Sequence, residues 1–288
     1  MTLSTTYALD NDQRGAGISL AWLAQILDPH TMRILEPRLE PGARVLELGA
    51  GTGSIARKVA DIVIHEPAAA AGDHGDRSVL HAGPRGLVVA TDLKPIHVQP
   101  THPGVRVEKH DLRSQPVAGI GGGPWDLIHA RCLLAHLGRR DQLVAELAAV
   151  LAPGGYLVIE DWGGVGAGVV LRAPTGETEV LYSAYQQALR SYLQVHGNDG
   201  TWILRAYRLM VEAGLEAEVL TGATSWVGGQ AGCRLPIELS KQIEDQLIEH
   251  GIALDDLRTL RTHLVNPDVT VMGNLTWSFV GRRPIAAG

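Results

Sequence analysis

Residues 45–54 read VLELGAGTGS, and this stretch decides the fold. Apolar Val45, Leu46 and Leu48, with Glu47 among them, form a short run of the kind that makes a buried strand. Gly49, Gly51 and Gly53 follow at alternate positions, and the helical pattern SIARKVADIVI comes directly after. Glycines so spaced let the chain leave a strand, bend sharply and bring bare backbone close to a bulky group at a helix start. The unit is therefore strand, turn and helix, with a ligand as the natural reason for the bend. A dinucleotide turn has the spacing G-x-G-x-x-G. Here the spacing is G-x-G-x-G with a carboxylate beside it, a poor cradle for a pyrophosphate and a suitable one for an ammonium or sulfonium centre.

Outward from this bend, strand and helix signals alternate. GLVVATD, VRVEKHDL, WDLIHAR and YLVIEDW read as strands, and RRDQLVAELAAVLA as a helix. Alternation of this kind predicts a parallel sheet with right-handed crossovers. Before the bend, residues 17–39 place Leu20, Leu23, Ile26 and Leu27 on one helical stripe, and Asp28-Pro29 reads as the start of a second short helix. After Trp162 a glycine-rich link leads to helical patterns in EVLYSAYQQALRSYLQVHG, WILRAYRLMVEAG, PIELSKQIEDQLIEHG and DDLRTLRTHLV. LEAEVLTGATSWVG reads as one extended segment and DVTVMGNLTWSFVGRRP as one closing strand. The expected organisation is a helical cap over 1–40, a ligand-binding core over 41–162, and the rest of the sheet with a helical lid over 163–288.

Composition narrows the function. With 288 residues, 45% of them hydrophobic, the chain can bury a sizeable core, and a net charge of −6 without any basic block argues against nucleic-acid partners. Cys132 and Cys233 lie far apart and form neither a metal nor a redox spacing, which suits a cytoplasmic protein. No export signal or membrane-spanning run is expected. The stretch 66–83 lengthens the first helix-to-strand connection, and a homodimer is compatible with such an insertion. His65, His74 and His81 in or beside it are irregularly spaced, so they read as solvated loop residues and no metal site is expected.

The order of these pieces resembles that of class I S-adenosylmethionine-dependent methyltransferases of the bacterial natural-product tailoring type. ELGAGTG matches the first motif of that family, VVATD the second strand end, KHDL the third, and DLIHARCLLAHL and LAPGGYLVIED the fourth and fifth. YALDN and LDPHTMRILE look like its N-terminal cap. The resemblance implies a Rossmann-like, doubly wound α/β fold, with a mostly parallel seven-stranded sheet, an N-terminal helical cap and helical insertions over the substrate site. It implies S-adenosyl-L-methionine as cofactor, leaving as S-adenosyl-L-homocysteine. The residues it assigns to that cofactor are Tyr7, Glu47, Gly49, Ala50, Gly51, Asp92 for the ribose hydroxyls, Leu93 along the adenine, Asp111 for the adenine amino group, Leu112, Ala130 and Arg131. Arg131, or Arg14 in the cap, would meet the cofactor carboxylate.

The acceptor site is expected over the strand C-terminal ends. Candidate acid–base groups are Glu160, Asp161 and His136; strand alternation sends the first two to opposite faces, so one of them enters the site. Trp162, Tyr182, Tyr185, Trp226 and Trp277 are candidate acceptor contacts, together with Trp202, because aromatic rings with a polar edge suit a flat, partly polar ligand. Packing within the lid is the competing explanation for each ring. The chain is similar to enzymes that methylate carbon 3 of indole in tryptophan-derived cyclic dipeptides. Oxygen or nitrogen methylation of another small metabolite, a non-catalytic cofactor-binding auxiliary protein and an NAD-dependent enzyme are the other expectations.

Overall fold

A computed structural model of the protein describes residues 8–9, 12, 15–64, 86–98, 102–163 and 169–285. Tyr7, Arg14, His65, His74, His81 and the 66–83 stretch lie outside the described residues. The chain opens with α1 (Ala16–Leu35) and continues through β1 (Arg44–Leu48), α2 (Ser54–Val63), β2 (Leu87–Asp92), β3 (Val105–Lys109), β4 (Trp125–Arg131), α3 (Arg140–Ala149) and β5 (Leu151–Trp162). Then come β6 (Val170–Arg172), α4 (Glu177–Val195), α5 (Ile203–Glu212), β7 (Glu216–Gly222), β8 (Ser225–Val227), α6 (Ala231–Gln242), α7 (Glu244–Glu249), α8 (Leu254–His263), β9 (Thr270–Met272) and β10 (Thr276–Arg282).

Seven strands form the main sheet in the order β3-β2-β1-β4-β5-β10-β7. Neighbours pair in parallel except β10, which is antiparallel to both β5 and β7. This is the mostly parallel, Rossmann-like sheet that the alternating signals predict. The strand order reverses between β1 and β4, and at such a switch point the crossovers diverge and leave a crevice at the strand C-terminal ends. Val45, Val88, Ala90, Leu127, Val158 and Val280 line one face of the sheet, beneath α1 and α2. Leu46, Val89, Ile128, Leu157, Ile159 and Phe279 line the other, against α3 and α5. Near-continuous apolar runs in β1, β2 and β4 follow from burial on both faces.

Three sequence expectations change. Asp28-Pro29 does not begin a second helix: α1 runs unbroken through Pro29. Proline removes one helical hydrogen bond and ordinarily breaks a helix interior. Here burial of Leu27, Thr31, Ile34 and Leu35 and the bonds of the Asp28 side chain hold both halves to the sheet. Segment 215–228 is not one extended piece, and 268–284 is not one strand. Each divides, giving β7 and β10 to the main sheet and β8 and β9 to a small antiparallel sheet of order β6-β9-β8. The division is built around Trp226: a Cβ at Gly232 would meet its ring at 2.1 Å and one at Gly273 at 2.5 Å, so only glycine fits at either place.

Among the described residues no helix is long and apolar enough to cross a membrane, and no cluster of three metal-ligating side chains occurs. Both cysteines are free thiols.

Candidate active site

The glycine bend links the end of β1 to the start of α2, and φ is +64° at Gly49, +56° at Gly51 and +71° at Gly53. That left-handed backbone is costly for any residue with a Cβ. The bend is tied to β2 by the Ala50 N–H donating to the Thr91 carbonyl (2.9 Å) and the Gly51 N–H donating to Asp92 Oδ2 (3.1 Å). Protein also presses on the bend: a Cβ at Gly49 would stand 3.0 Å from Leu133 and one at Gly53 2.9 Å from Val98. Among the described residues, Gly51 has only Leu20 beyond it, at 3.5 Å. Two of the three glycines thus answer to packing as well as to backbone conformation, which spacing alone does not reveal.

Glu47 is 5% exposed, and its Oε2 has no hydrogen-bond partner among the described residues. Burial pushes its pKa up to about 6 against the lowering influence of His129, Arg131 and the Ala56 N–H. A buried acid with one unpartnered oxygen beside a glycine bend fits a ligand that brings a cation. Asp92 closes β2 as a buried carboxylate, its Oδ1 accepting the Lys94 N–H at 2.9 Å. Burial raises its pKa against those backbone bonds. A carboxylate can accept from two ribose hydroxyls, so the residues present fit S-adenosylmethionine at this end. Ala50, Leu112 and Ala130 are buried, and Leu93 is half-buried. Asp111 lies after β3, where Arg113 grips it through Nε–Oδ1 (2.8 Å) and Nη2–Oδ2 (2.9 Å) and lowers its pKa.

Glu160 and Asp161 end β5 and project to opposite faces, both buried. Glu160 enters a polar layer beneath α1. Thr31 Oγ1 donates to its Oε2 (2.5 Å), Ser278 Oγ donates to its Oε1 (2.7 Å), and His129 Nε2 lies 3.2 Å from Oε2. Burial by itself would raise its pKa, but the hydrogen bonds and the His129 charge prevail and hold it at about 2. Arg131 belongs to the same layer. Its Nη1 donates to Thr31 Oγ1 and its Nη2 to Asp28 Oδ1, each at 2.9 Å.

Asp161 serves the other face. Its Oδ2 accepts from the Ala135 N–H (3.1 Å) and Trp202 Nε1 (3.2 Å), and its Oδ1 from the Trp162 N–H (3.0 Å). Burial lifts its pKa to about 6 despite these donors. His136, on the same loop as Ala135, has its ring 3.2 Å from Asn198 Nδ2. Burial and then the Arg140 cation push its pKa down to about 4, so the imidazole is neutral near pH 7.

The aromatic candidates separate. Trp162 Nε1 donates to Thr276 Oγ1 (3.0 Å) and Trp277 Nε1 to the Gly163 carbonyl (2.9 Å), both at the strand C-terminal edge or its antiparallel partner. Tyr182 and Tyr185 are 0% and 1% exposed inside the lid core, where Trp226 also packs, 6.1 Å from the Trp162 ring. Asp28, Thr31, His129 and Ser278 were not legible as site-shaping residues. Nothing local marks them, because their partners stand up to 248 positions away.

A doubly wound sheet with a glycine bend at its switch point and an acid closing the next strand defines a nucleoside-binding enzyme core. A family model described as "Methyltransferase domain" matches residues 20–199, and the chain belongs to that family. It is an S-adenosylmethionine-dependent methyltransferase. It is 23% identical over 234 residues to "Methyltransferase str2" of Strobilurus tenacellus, spanning 74% of this chain and 77% of that protein. Among solved structures it is similar to phosphoethanolamine N-methyltransferase 2 of Haemonchus contortus in complex with phosphomonomethylethanolamine and S-adenosylhomocysteine. The TM-score is 0.53 at 16% identity, over 98% of this chain and 61% of that one. A complex of the Haemonchus enzyme with S-adenosyl-L-methionine matches with a TM-score of 0.53 at 15% identity, over 98% and 60% of the two chains.

Proposed function

We propose that the chain methylates a small aromatic secondary metabolite, and that the acceptor atom is carbon 3 of an indole in a tryptophan-containing diketopiperazine. One observation carries this reading: the two carboxylates at the end of β5 are committed to protein donors, Glu160 to Thr31 and Ser278, Asp161 to Ala135, Trp162 and Trp202. Oxygen acceptors need a proton removed as they react. Indole carbon 3 is nucleophilic without prior deprotonation, so positioning by ring faces and exclusion of water suffice. The bound cofactor supplies an electrophilic methyl on a sulfonium sulfur. Glu47 would face its positive end, Asp92 would accept from its ribose hydroxyls, and the rings of Trp162 and Trp277 would flank the acceptor. Net charge of −6 supports a small molecule rather than nucleic acid or a membrane surface as partner.

A neutral His136 near the Asp161–Trp202 pair favours a second reading, oxygen or nitrogen methylation with the imidazole as base. Incubation with S-adenosylmethionine and a panel of tryptophan cyclic dipeptides, indoles and phenols, followed by mass spectrometry, tests both. A methylated indole carbon supports the first, a methylated phenol or amine the second. Tight S-adenosylhomocysteine binding with no product from any acceptor would make the chain a cofactor-binding auxiliary protein.

A further inference from the structure

The cap helix and the sheet meet through a continuous polar chain, buried except at its Lys58 end, rather than through apolar contact alone. Lys58 of α2 donates to Asp28 Oδ2 at 2.7 Å, and Ser54, the first residue of α2, donates to Asp28 Oδ1 at 3.1 Å. Arg131 at the end of β4 reaches the same Oδ1 and also Thr31, each at 2.9 Å, and the Thr31 hydroxyl donates a hydrogen bond to Glu160 at the end of β5. Ser278 of β10 completes Glu160 at 2.7 Å, with His30 Nε2 2.9 Å from the Ser278 hydroxyl. Thr31 is fully buried, and its one oxygen both accepts and donates.

This chain joins α1 to the start of α2, the ends of β4 and β5, and β10. Ser54 and Lys58 belong to the helix that the glycine bend starts. Arg131 and Glu160 end the two strands on the acceptor side of the switch point. Between them the Cys132 N–H donates to the Glu160 carbonyl at 2.8 Å, and Cys132 holds φ +50°, rare for a residue with a Cβ. Its successor Leu133 presses on Gly49, 3.0 Å from where a Cβ would stand. Such backbone persists only where its surroundings over-determine it. The Arg131–Thr31–Glu160 relay ties the residue before this turn to the β5 residue whose carbonyl accepts the turn's first N–H.

We propose that Thr31 is a positioning residue for the cofactor. By bridging Arg131 and Glu160, it sets the Cys132–Leu133 turn against the glycine bend and so shapes the cofactor cradle without touching the ligand. This inference rests on the reading that the bend binds S-adenosylmethionine. Asp28 secures the other end of the relay to α2.

The test is calorimetric titration of the full chain with S-adenosylhomocysteine, alongside thermal melts of the ligand-free protein. Thr31→Val keeps shape but neither accepts nor donates; Thr31→Ser keeps both functions. Thr31→Val is expected to weaken S-adenosylhomocysteine binding about tenfold, since small misplacements in a preorganised site carry penalties of this order, with Thr31→Ser restoring the wild-type constant. Asp28→Asn provides a second reading if Thr31→Val fails to fold, with a loss in the same direction expected. A lowered melting temperature with unchanged binding in Thr31→Val, or in Asp28→Asn where Thr31→Val cannot be purified, would reduce the relay to a structural tie and overturn the proposal. Absence of S-adenosylhomocysteine binding by the wild type would overturn the cofactor reading beneath it.

Discussion

Trp202 donates its indole N–H to Asp161 across 3.2 Å, joining the start of α5 to the last residue but one of β5. The pair is buried, with exposures of 0% and 4%. Asp161 therefore acts as a hub for three donors from three segments. Asp161→Ala should leave the Ala135 and Trp162 N–H groups and the Trp202 indole without their acceptor. A loss of about 2–4 kcal/mol is expected, measurable by urea unfolding; a change below about 0.5 kcal/mol would refute the hub.

The same residue makes a pH prediction. Its carboxyl has a native pKa near 6, against 3.8 for the ordinary group. Between these values the native state holds a proton that the unfolded chain has released, so stability falls as pH rises through this window. Below about 4 the penalty is absent, and above about 6 it is complete, at about 3 kcal/mol. Glu47 contributes in the same direction, from 4.5 to about 6. Glu160 acts oppositely: held at about 2, it stabilises above pH 4.5 and loses that contribution as pH falls toward 2. Comparing wild type with Asp161→Asn over pH 4–7 isolates the first contribution, and identical pH slopes would exclude it.

Asp92→Ala should weaken S-adenosylmethionine binding about 10- to 100-fold, the loss expected for charge-assisted hydrogen bonds to two hydroxyls. Calorimetry measures it directly. An unchanged dissociation constant would remove Asp92 from the cofactor site.

Gly49→Ala combines a left-handed φ of +64° with a contact of 3.0 Å to Leu133. Backbone conformation alone costs about 1–2 kcal/mol, and thermal unfolding should show it. Gly49→Ala/Leu133→Ala should recover only the steric part, leaving the conformational cost.

If His136 is the base in an oxygen- or nitrogen-methylating enzyme, its low pKa fixes the sign of the rate profile. The neutral imidazole accepts protons, so kcat/KM should rise with pH to a plateau beginning near 4 to 5 and stay level through pH 8. A histidine-dependent inflection near 6.5 would contradict the environment assigned to it.

Much of the architecture was legible in the chain itself. VLELGAGTGS specified strand, left-handed bend and helix because only glycine takes positive φ at no steric cost, and the near-continuous apolar runs of β1, β2 and β4 announced strands buried on both faces. Sequence also placed Asp92 at a strand end and gave Glu160 and Asp161 opposite directions, since side chains alternate along a strand.

Partnership was decided only by the tertiary structure. Arg131 and Glu160 read as groups for ligand or catalysis, yet their charges are met by Asp28 and Thr31, which lie 103 and 129 positions away on a helix whose proline suggested a break. Tyr182 and Tyr185 read as ring surfaces for an acceptor, yet both lie inside the lid core. Local pattern records what a residue can do; whether a carboxylate meets a ligand or a threonine depends on which distant segment folds over it, and no short-range periodicity encodes that distance.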